Sequence, residues 1–211
     1  MNDQQRMADH WWWRPGWGLS RRFYTWHLTF EHSPEVHRLA QTYRDALAEV
    51  SGLDLVPDKW LHLTMQGVGF VDEVSDADVR AIVDAAQTRL ALLPAFELKL
   101  DRPRITPEAI RWEATPVGPP SAVRDAIRSA IADVWTTVPE PAEGFEAHVT
   151  IAYSNADGPA GPVQNALDQV DEPPALAEIR SADLIILNRD EQMYEWERFA
   201  TAPLKAGPMR G

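Results

Sequence analysis

The sequence predicts a mixed α+β fold made of two related halves, and three observations support this prediction. Segments rich in β-branched and aromatic residues alternate with segments that repeat apolar residues at helical spacing. A His-x-Thr triplet occurs on one predicted strand in each half of the chain. The 211 residues are 45% hydrophobic and 25% charged, which is ordinary for a globular protein with a substantial core.

The first half is predicted to contain two strands and two helices. A strand over 23–30 precedes a helix that starts at Ser33-Pro34 and has Gly52 as its stop signal. A strand over 60–66 follows, and Ser75 with Asp78 resembles a capping box at the start of the second helix. The apolar residues expected to face the core are Val36, Leu39, Ala40, Tyr43, Leu47 and Val50 in the first helix and Val79, Ile82, Val83, Ala86 and Leu90 in the second.

The second half is predicted to contain five strands and two helices. The strands cover 96–100, 110–115, 145–153, 183–188 and 194–201. One helix begins at Pro119-Pro120-Ser121, and a short one covers 163–170 after a loop over 157–162. None of these strands is followed by a Gly-rich phosphate loop, so the sequence carries no Walker or dinucleotide fingerprint.

Charge and residue content exclude several classes of function. Twenty Lys and Arg against 32 Asp and Glu give a net charge of −12, which argues against binding along long duplex nucleic acid. The absence of cysteine excludes disulfides, thiol catalysis and thiolate metal sites. No apolar run is long enough to span a membrane, and residues 1–5 lack the layout of a signal peptide. We therefore expect a cytoplasmic protein with no membrane partner.

The residues that carry chemistry are the two His-x-Thr strands. Alternate side chains of a strand share a face, so His62, Thr64 and Gln66 are expected to point one way, as are His148 and Thr150. Two such strands across a groove would present two imidazoles and two hydroxyls to one ligand. Neutral and protonated imidazole coexist near pH 7, so a histidine pair can act as general base and general acid. Threonine hydroxyls can donate hydrogen bonds to phosphoryl oxygens.

These two segments resemble the motifs of the 2H phosphoesterase superfamily, in particular 2′-5′ RNA ligase-like proteins and cyclic phosphodiesterases. The matching residues are Trp60-Leu61-His62-Leu63-Thr64-Met65-Gln66-Gly67-Val68-Gly69 and Phe145-Glu146-Ala147-His148-Val149-Thr150-Ile151-Ala152-Tyr153. The resemblance implies a bilobal fold with a pseudo-twofold axis, in which two antiparallel sheets with flanking helices surround a central groove. It also implies cleavage of a 2′,3′-cyclic phosphate or a 2′-5′ phosphodiester in a small nucleotide or RNA end, without metal or other cofactor. His62 and His148 would be the catalytic pair, and Thr64 and Thr150 would bind the phosphate.

Several other residues are secondary candidates. His27 and Thr29 form a third His-x-Thr triplet, which either lines the groove as an auxiliary pair or forms a solvated strand face. Gln66, Trp112 and Tyr153 are possible groove-lining residues, with core packing as the alternative for the two rings. Three arginines have two possible roles: they either hold an anion near the groove or are ordinary solvated charges. They are Arg102, Arg104 and Arg111.

The chain is expected to comprise an extension, a domain and a tail. Residues 1–22 form a Trp- and Arg-rich extension that contains Trp11-Trp12-Trp13-Arg14-Pro15-Gly16-Trp17. This extension is expected either to cover the groove and stack on a base or to pack on an outer apolar face. Residues 23–203 would form one bilobal domain and residues 204–211 a C-terminal tail, and we expect a monomer.

Two alternative functions stay open on the sequence alone. The first is a non-catalytic protein that binds a nucleotide or an RNA end. The second is a metal-dependent hydrolase in which His27, His62 and His148 form a three-histidine zinc site. The presence of both histidines and both threonines favours catalysis over binding, because binding alone does not require a matched acid and base.

Overall fold

Residues 6–206 are described by the computed structural model, and they form two main antiparallel sheets and four α-helices. Residues 1–5, which lack the sequence layout of a signal peptide, and residues 207–211 of the expected tail lie outside the described range. The helices are α1 (Pro34–Leu47), α2 (Asp76–Leu90), α3 (Gly118–Ala132) and α4 (Gly161–Leu167). The strands are β1 (Arg6–Met7), β2 (Phe23–Thr29), β3 (Leu53–Leu55), β4 (His62–Phe70), β5 (Phe96–Leu100), β6 (Arg104–Ile105), β7 (Ala109–Thr115), β8 (His148–Ser154), β9 (Gly158–Pro159), β10 (Ala175–Ile179), β11 (Ser181–Asn188) and β12 (Glu195–Pro203).

Each of the two main sheets carries one His-x-Thr strand. The first sheet has the order β12-β11-β2-β4, and β4 begins at His62. The second has the order β10-β5-β7-β8-β3 with β6 paired to β7, and β8 begins at His148. A separate ladder pairs β1 with β9. The predicted fold class, with two antiparallel sheets and flanking helices, is therefore confirmed.

The pseudo-twofold relation is visible in the pairing of the two His-x-Thr strands. β4 pairs antiparallel with β2, and Thr64 lies opposite His27. β8 pairs antiparallel with β7, and Thr150 lies opposite Arg111. The position that a histidine takes in the first sheet is thus taken by an arginine in the second.

The predicted helices are all present, with small differences at their ends. The Ser75 hydroxyl accepts a hydrogen bond from the backbone N–H of Asp78, which starts α2 as the sequence predicts. α1 begins at Pro34 but ends at Leu47, so the prediction that Val50 belongs to this helix is wrong. Gly52 lies beyond the helix, at a φ of +84°, in the turn that leads to β3. A β-carbon disfavours this left-handed conformation, so the turn explains the glycine.

Five short strands were not predicted from the sequence, namely β1, β3, β6, β9 and β10. Four of them have only two or three residues, which is too short for an alternation of apolar and polar residues to be recognised. β1 lies in the N-terminal extension, so part of that segment is built into the folded structure. None of the helices within residues 6–206 is long and apolar enough to cross a membrane.

Candidate active site

A β-bulge in β4 decides which of its side chains reach the site. Thr64 lies opposite His27, but Gln66 lies opposite the adjacent residue Trp26, so Met65 is an extra residue in β4. An extra residue reverses the alternation of side chains beyond it. His62 and Thr64 therefore share one face, and Gln66 turns to the other.

Gln66 consequently anchors a loop instead of lining the groove. It is fully buried, accepts a hydrogen bond from Arg128 (2.6 Å) and donates to the carbonyl oxygen of Pro139 (2.7 Å). It also donates to the carboxylate of Glu140 at 3.2 Å. The prediction that Gln66 lines the groove is wrong, because strict alternation from His62 does not pass through the bulge.

A second bulge brings Tyr153 to the site. Arg111 lies opposite Thr150 and Ile110 opposite Ala152, which makes Ile151 an extra residue in β8. Tyr153 therefore comes to the same side as Thr150, although strict alternation places the two on opposite faces. Its ring is buried and lines the cavity that lies between the two His-x-Thr strands.

One cavity of about 430 Å³ is lined by both His-x-Thr strands. The first sheet contributes His62 and Thr64, and the second contributes His148 and Thr150. The two predicted pairs are thus brought to a single space, as two-lobed symmetry requires. The cavity is completed mainly by His27, Arg111, Glu108, Tyr153 and Tyr194 together with His10, Arg14 and Trp17 of the N-terminal extension.

The two histidines are held in the same way. The Nδ1–H of His62 donates to the carbonyl oxygen of Trp60 at 2.8 Å, and that of His148 donates to the carbonyl oxygen of Glu146 at 2.8 Å. A carbonyl oxygen only accepts, so each neutral ring carries its proton on Nδ1. Nε2 is then the nitrogen of each ring that is available to accept a proton.

Burial lowers the pKa of both rings. Burial is the main cause that lowers the pKa of His62 to about 4, and the nearby charge of His148 lowers it further. The hydrogen bond to the Trp60 carbonyl oxygen raises this pKa but does not offset the effect of burial. The ring of Trp196, 5.1 Å from that of His62, is part of the apolar surroundings that cause this effect. The pKa of His148 is also lowered by burial, and the guanidinium of Arg111 acts in the same sense. Charge on one ring is therefore felt by the other.

His27 lies directly on His62. Their rings stack with centroids 4.2 Å apart and an angle of 9°, and His27 Nε2 is 3.4 Å from the Thr64 hydroxyl. Nearly parallel stacked rings keep their in-plane lone pairs in two separate parallel planes, so the lone pairs do not converge on one ion as those of zinc ligands do. Within the described residues no group of three or more His, Asp or Glu is placed to hold a metal ion.

Two further predictions about groove-lining residues are wrong. Thr29 donates a hydrogen bond to Asp183 (2.9 Å) and lines a separate depression with Arg198, because it lies at the end of β2 beyond His27. Trp112 is fully buried and packs edge-on against Tyr43, because its side chain points away from the face that carries Arg111.

Arg111 is the arginine, of the three considered, that reaches the cavity. Its guanidinium pairs with the carboxylate of Glu146, and most of its side chain is buried. Arg104 pairs with the same carboxylate and with Glu113, while Arg102 lies near Asp171 at the surface. The sequence does not rank these arginines, because only the pairing of β7 with β8 places Arg111 beside Thr150.

His10, Glu108 and Tyr194 meet at the cavity wall, and none of these three residues was predicted from the sequence to line the groove. The Nδ1 of His10 lies 3.0 Å from the carboxylate of Glu108, and its Nε2 lies 2.9 Å from the hydroxyl of Tyr194. The His10 ring stacks on Tyr153 with centroids 4.4 Å apart, and Arg14 donates to Glu108 at 2.8 Å. These residues are far apart in the chain, so no local motif indicates that they meet.

Comparisons with known proteins agree with this architecture. A family model described as the 2′-5′ RNA ligase superfamily matches residues 30–191. The crystal structure of TT0787 of Thermus thermophilus is similar, with a TM-score of 0.67 and 17% identity over 89% of this chain and all of that one. E. coli LigT in apo form has a TM-score of 0.62 and 16% identity over 88% of this chain and 98% of that one. No curated protein sequence gives a significant match.

Proposed function

The chain belongs to the 2′-5′ RNA ligase superfamily, and we propose that it is a metal-independent phosphodiesterase that cleaves a 2′,3′-cyclic phosphate or a 2′-5′ phosphodiester of a nucleotide or RNA end. The observation that carries the proposal is the matched pair of histidines. Both line one cavity, and each has its Nδ1 held by the carbonyl oxygen two residues earlier. Two groups of one kind, in one cavity, suit a reaction that needs a proton removed at one oxygen and supplied at another.

The proposed reaction divides the proton transfers between the two rings. One neutral imidazole removes a proton from the attacking water, whose oxygen forms a new bond to phosphorus. The bond from phosphorus to one ribose oxygen breaks, and the other imidazole, in its protonated form, donates a proton to that oxygen. The hydroxyls of Thr64 and Thr150 and the guanidinium of Arg111 are placed at the same cavity to stabilise charge on the non-bridging oxygens.

A nucleotide is the ligand class that relatives support. E. coli LigT has been crystallised with 3′-AMP, with ATP and with NADP+. The 3′-AMP complex has a TM-score of 0.62 and 16% identity, over 87% of this chain and 98% of that one. For this chain, with a net charge of −12, a small nucleotide or the end of an RNA fits better than a long duplex.

Activity on nucleoside 2′,3′-cyclic phosphates is expected to survive EDTA and to follow a bell-shaped pH profile. Burial lowers the pKa of His62 and His148, so kcat/KM should rise as pH falls from 8 to below about 6.5, where the acid gains its proton. It should fall again near pH 4, where the base is protonated as well. The negative charge of the bound substrate raises the pKa of both rings in the enzyme–substrate complex. The pH profile of kcat, which reports this complex, should therefore lie at higher pH than that of kcat/KM.

Thermal unfolding at each pH is the control for this profile. The pKa of the buried rings of His10, His27 and His62 is below the usual value in the folded state. The unfolded chain therefore binds protons below about pH 6.5 that the folded chain does not, and stability falls as pH falls. The metal-dependent alternative would be supported if kcat/KM fell on only one side of the pH range and if activity were lost in EDTA and restored by zinc.

Replacement of His27 by Ala is expected to lower kcat by no more than about tenfold, as loss of a supporting contact does. The His27 ring stacks on His62 and has no symmetry-related histidine in the second sheet, where Arg111 takes its place. His27→Phe keeps a flat ring over His62 and should retain more activity than His27→Ala. A folded His27→Phe variant as inactive as a His62→Ala variant would mean that His27 itself transfers a proton.

A further inference from the structure

Glu140 brings a carboxylate to the cavity that both His-x-Thr strands line. Its Oε2 accepts hydrogen bonds from the backbone N–H of Gly67 at 3.1 Å and from the side-chain amide of Gln66 at 3.2 Å. Its Oε1 accepts none from the residues that the structure describes, and the carboxylate forms no ion pair with them. Glu140 is exposed on the cavity side, so Oε1 is open to a ligand.

The loop that carries Glu140 is held in place by two arginines of α3. Arg128 donates to the carbonyl oxygens of Glu140 at 3.0 Å and of Pro139 at 3.2 Å. Arg124 is buried and donates to the carbonyl oxygens of the next two residues of the loop at 2.8 and 2.7 Å. The loop therefore presents the Glu140 carboxylate at a fixed place.

The backbone on both sides of this contact is adapted to the carboxylate. Glu140 has a φ of +62°, in the left-handed region that residues other than glycine rarely adopt. Strained residues of this kind occur often at ligand sites, where surrounding contacts hold them. At Gly67 a β-carbon would lie 2.5 Å from Oε1 of Glu140 and 3.0 Å from the Phe23 ring. Any larger residue at position 67 would displace the carboxylate.

A carboxylate is an unexpected group in a cavity proposed to bind a phosphate. Its negative charge repels the anionic substrate, unless it also contacts a part of the substrate that gains from it. Glu108, the other carboxylate of the cavity, is balanced by Arg14 at 2.8 Å, whereas Glu140 has no such partner among the described residues. Carboxylate oxygens only accept hydrogen bonds, so the group that Glu140 recognises must be a donor.

The position of Glu140 along β4 fits contact with the base of a nucleotide. Gly67, which binds the carboxylate, lies three residues after Thr64, or roughly 10 Å along the strand. This length is comparable to that of a nucleoside from its 2′,3′ edge to the hydrogen-bonding edge of its base. The rings of Phe23 and Trp17 line the cavity and pack on each other, which provides a surface for a base to stack on.

The other polar residues of the wall do not offer an equivalent acceptor. His10 lies between the Glu108 carboxylate (3.0 Å) and the Tyr194 hydroxyl (2.9 Å), so these three groups hydrogen-bond to one another. The second oxygen of Glu108 accepts from the Trp12 indole at 3.1 Å. The unpaired Oε1 of Glu140 is therefore the acceptor of the wall that is left for a base.

Guanine is the base whose donors fit a single acceptor oxygen. Its N1–H and its N2 amino group lie side by side, so one oxygen can accept hydrogen bonds from both. Adenine and cytosine place a ring nitrogen acceptor beside their amino group, and a carboxylate repels that lone pair. Uracil has one N–H between two carbonyl oxygens, which a carboxylate also repels. A carboxylate oxygen therefore favours guanine, because its hydrogen bonds to both donors are charge-assisted.

We infer that Glu140 is a specificity-determining residue that accepts hydrogen bonds from the base, and that guanine is the preferred base on the ribose that carries the reacting phosphate. This inference rests on the proposed function and adds a base preference to it. The fixed loop, the left-handed φ of Glu140 and the glycine at position 67 then have one explanation.

The test varies only the base, in the full-length protein. We measure kcat/KM on the nucleoside 2′,3′-cyclic phosphates of guanine, adenine, cytosine and uracil, and on 2′-5′-linked dinucleotides that carry these bases on the 2′-linked ribose. The guanine substrate should be preferred by about 10- to 100-fold, the discrimination that a pair of hydrogen bonds to one base provides. Inosine 2′,3′-cyclic phosphate lacks only the N2 amino group and should fall between the guanine and adenine substrates.

Glu140→Gln is the discriminating variant, because it keeps the size of the side chain and removes its charge. Charge-assisted hydrogen bonds are about twice as strong as neutral ones, so the preference for guanine should fall to within about threefold. Glu143→Gln is the matched control. Glu143 lies on the same loop, is exposed and does not line the cavity, so the preference should stay as in the wild type.

Three results would count against this inference. Equal kcat/KM on all four bases, or a preference for a base other than guanine, would overturn it while the proposed function stands. A Glu140→Gln variant that is slower on every substrate by the same factor would also overturn it, because the carboxylate would then only hold the loop. Cleavage of neither class of substrate by the folded wild type would refute the proposed function, and the inference with it.

Discussion

Replacement of either His62 or His148 by Ala is expected to lower kcat by about two to four orders of magnitude while the protein stays folded. Each ring is held by one backbone carbonyl oxygen and lines the same cavity, so neither can substitute for the other. One must be neutral and the other protonated in the reactive state. Steady-state kinetics on a nucleoside 2′,3′-cyclic phosphate, with thermal unfolding of each variant, is the measurement.

The double variant tests whether the two rings act as one unit. Groups that act together are strongly non-additive, so His62→Ala with His148→Ala should be about as inactive as the slower single variant. His32→Ala is the control, because His32 is exposed and lines a depression away from the cavity. A folded single variant with wild-type kcat would rule out the paired acid and base.

Replacement of Arg111 by Met is expected to lower kcat/KM by about two to three orders of magnitude, as loss of one positively charged contact to the reacting phosphate does. Arg111 lies opposite Thr150 in the β7–β8 ladder and lines the cavity. Its side chain is mostly buried and pairs with Glu146 beside the cavity. Arg111→Lys keeps the charge but loses the planar fork, so it should recover only part of the activity.

The variant Arg104→Met tests whether Arg111 acts by contacting the phosphate or only by pairing with the carboxylate of Glu146. Arg104 lies opposite Arg111 in the β6–β7 pair and binds the same Glu146, but it lines a different depression at the surface. If Arg111 contributes only its ion pair with Glu146, both Met variants should lose activity to a similar extent. If Arg111 contacts the phosphate, Arg104→Met should stay within about threefold of the wild type, as expected for an exposed ion pair.

Local sequence patterns were sufficient for the four α-helices, for most of the longer strands and for the two motif pairs. The apolar stripes of α1 and α2 are buried as their helical spacing predicts, apart from Val50. His62 and Thr64, like His148 and Thr150, reach the cavity because two residues of an uninterrupted strand share a face. These outcomes depend on contacts between residues close in the chain, and such contacts leave a periodic signal in the sequence.

Only the tertiary structure decided which further residues line the cavity beside the two His-x-Thr pairs. Whether Gln66 or Tyr153 reaches the cavity depends on bulges, and a bulge is defined by the pairing with β2 or β7 rather than by the bulged strand itself. The place of Arg111 beside Thr150 is likewise a matter of register between strands. His10 meets Tyr194 although 184 positions separate them. The sequence by itself determined the paired histidines and the alternating elements, because these follow from local periodicity. The surroundings of the pair, and the wall that limits its cavity, arise from long-range pairing, which leaves no periodic trace in the chain.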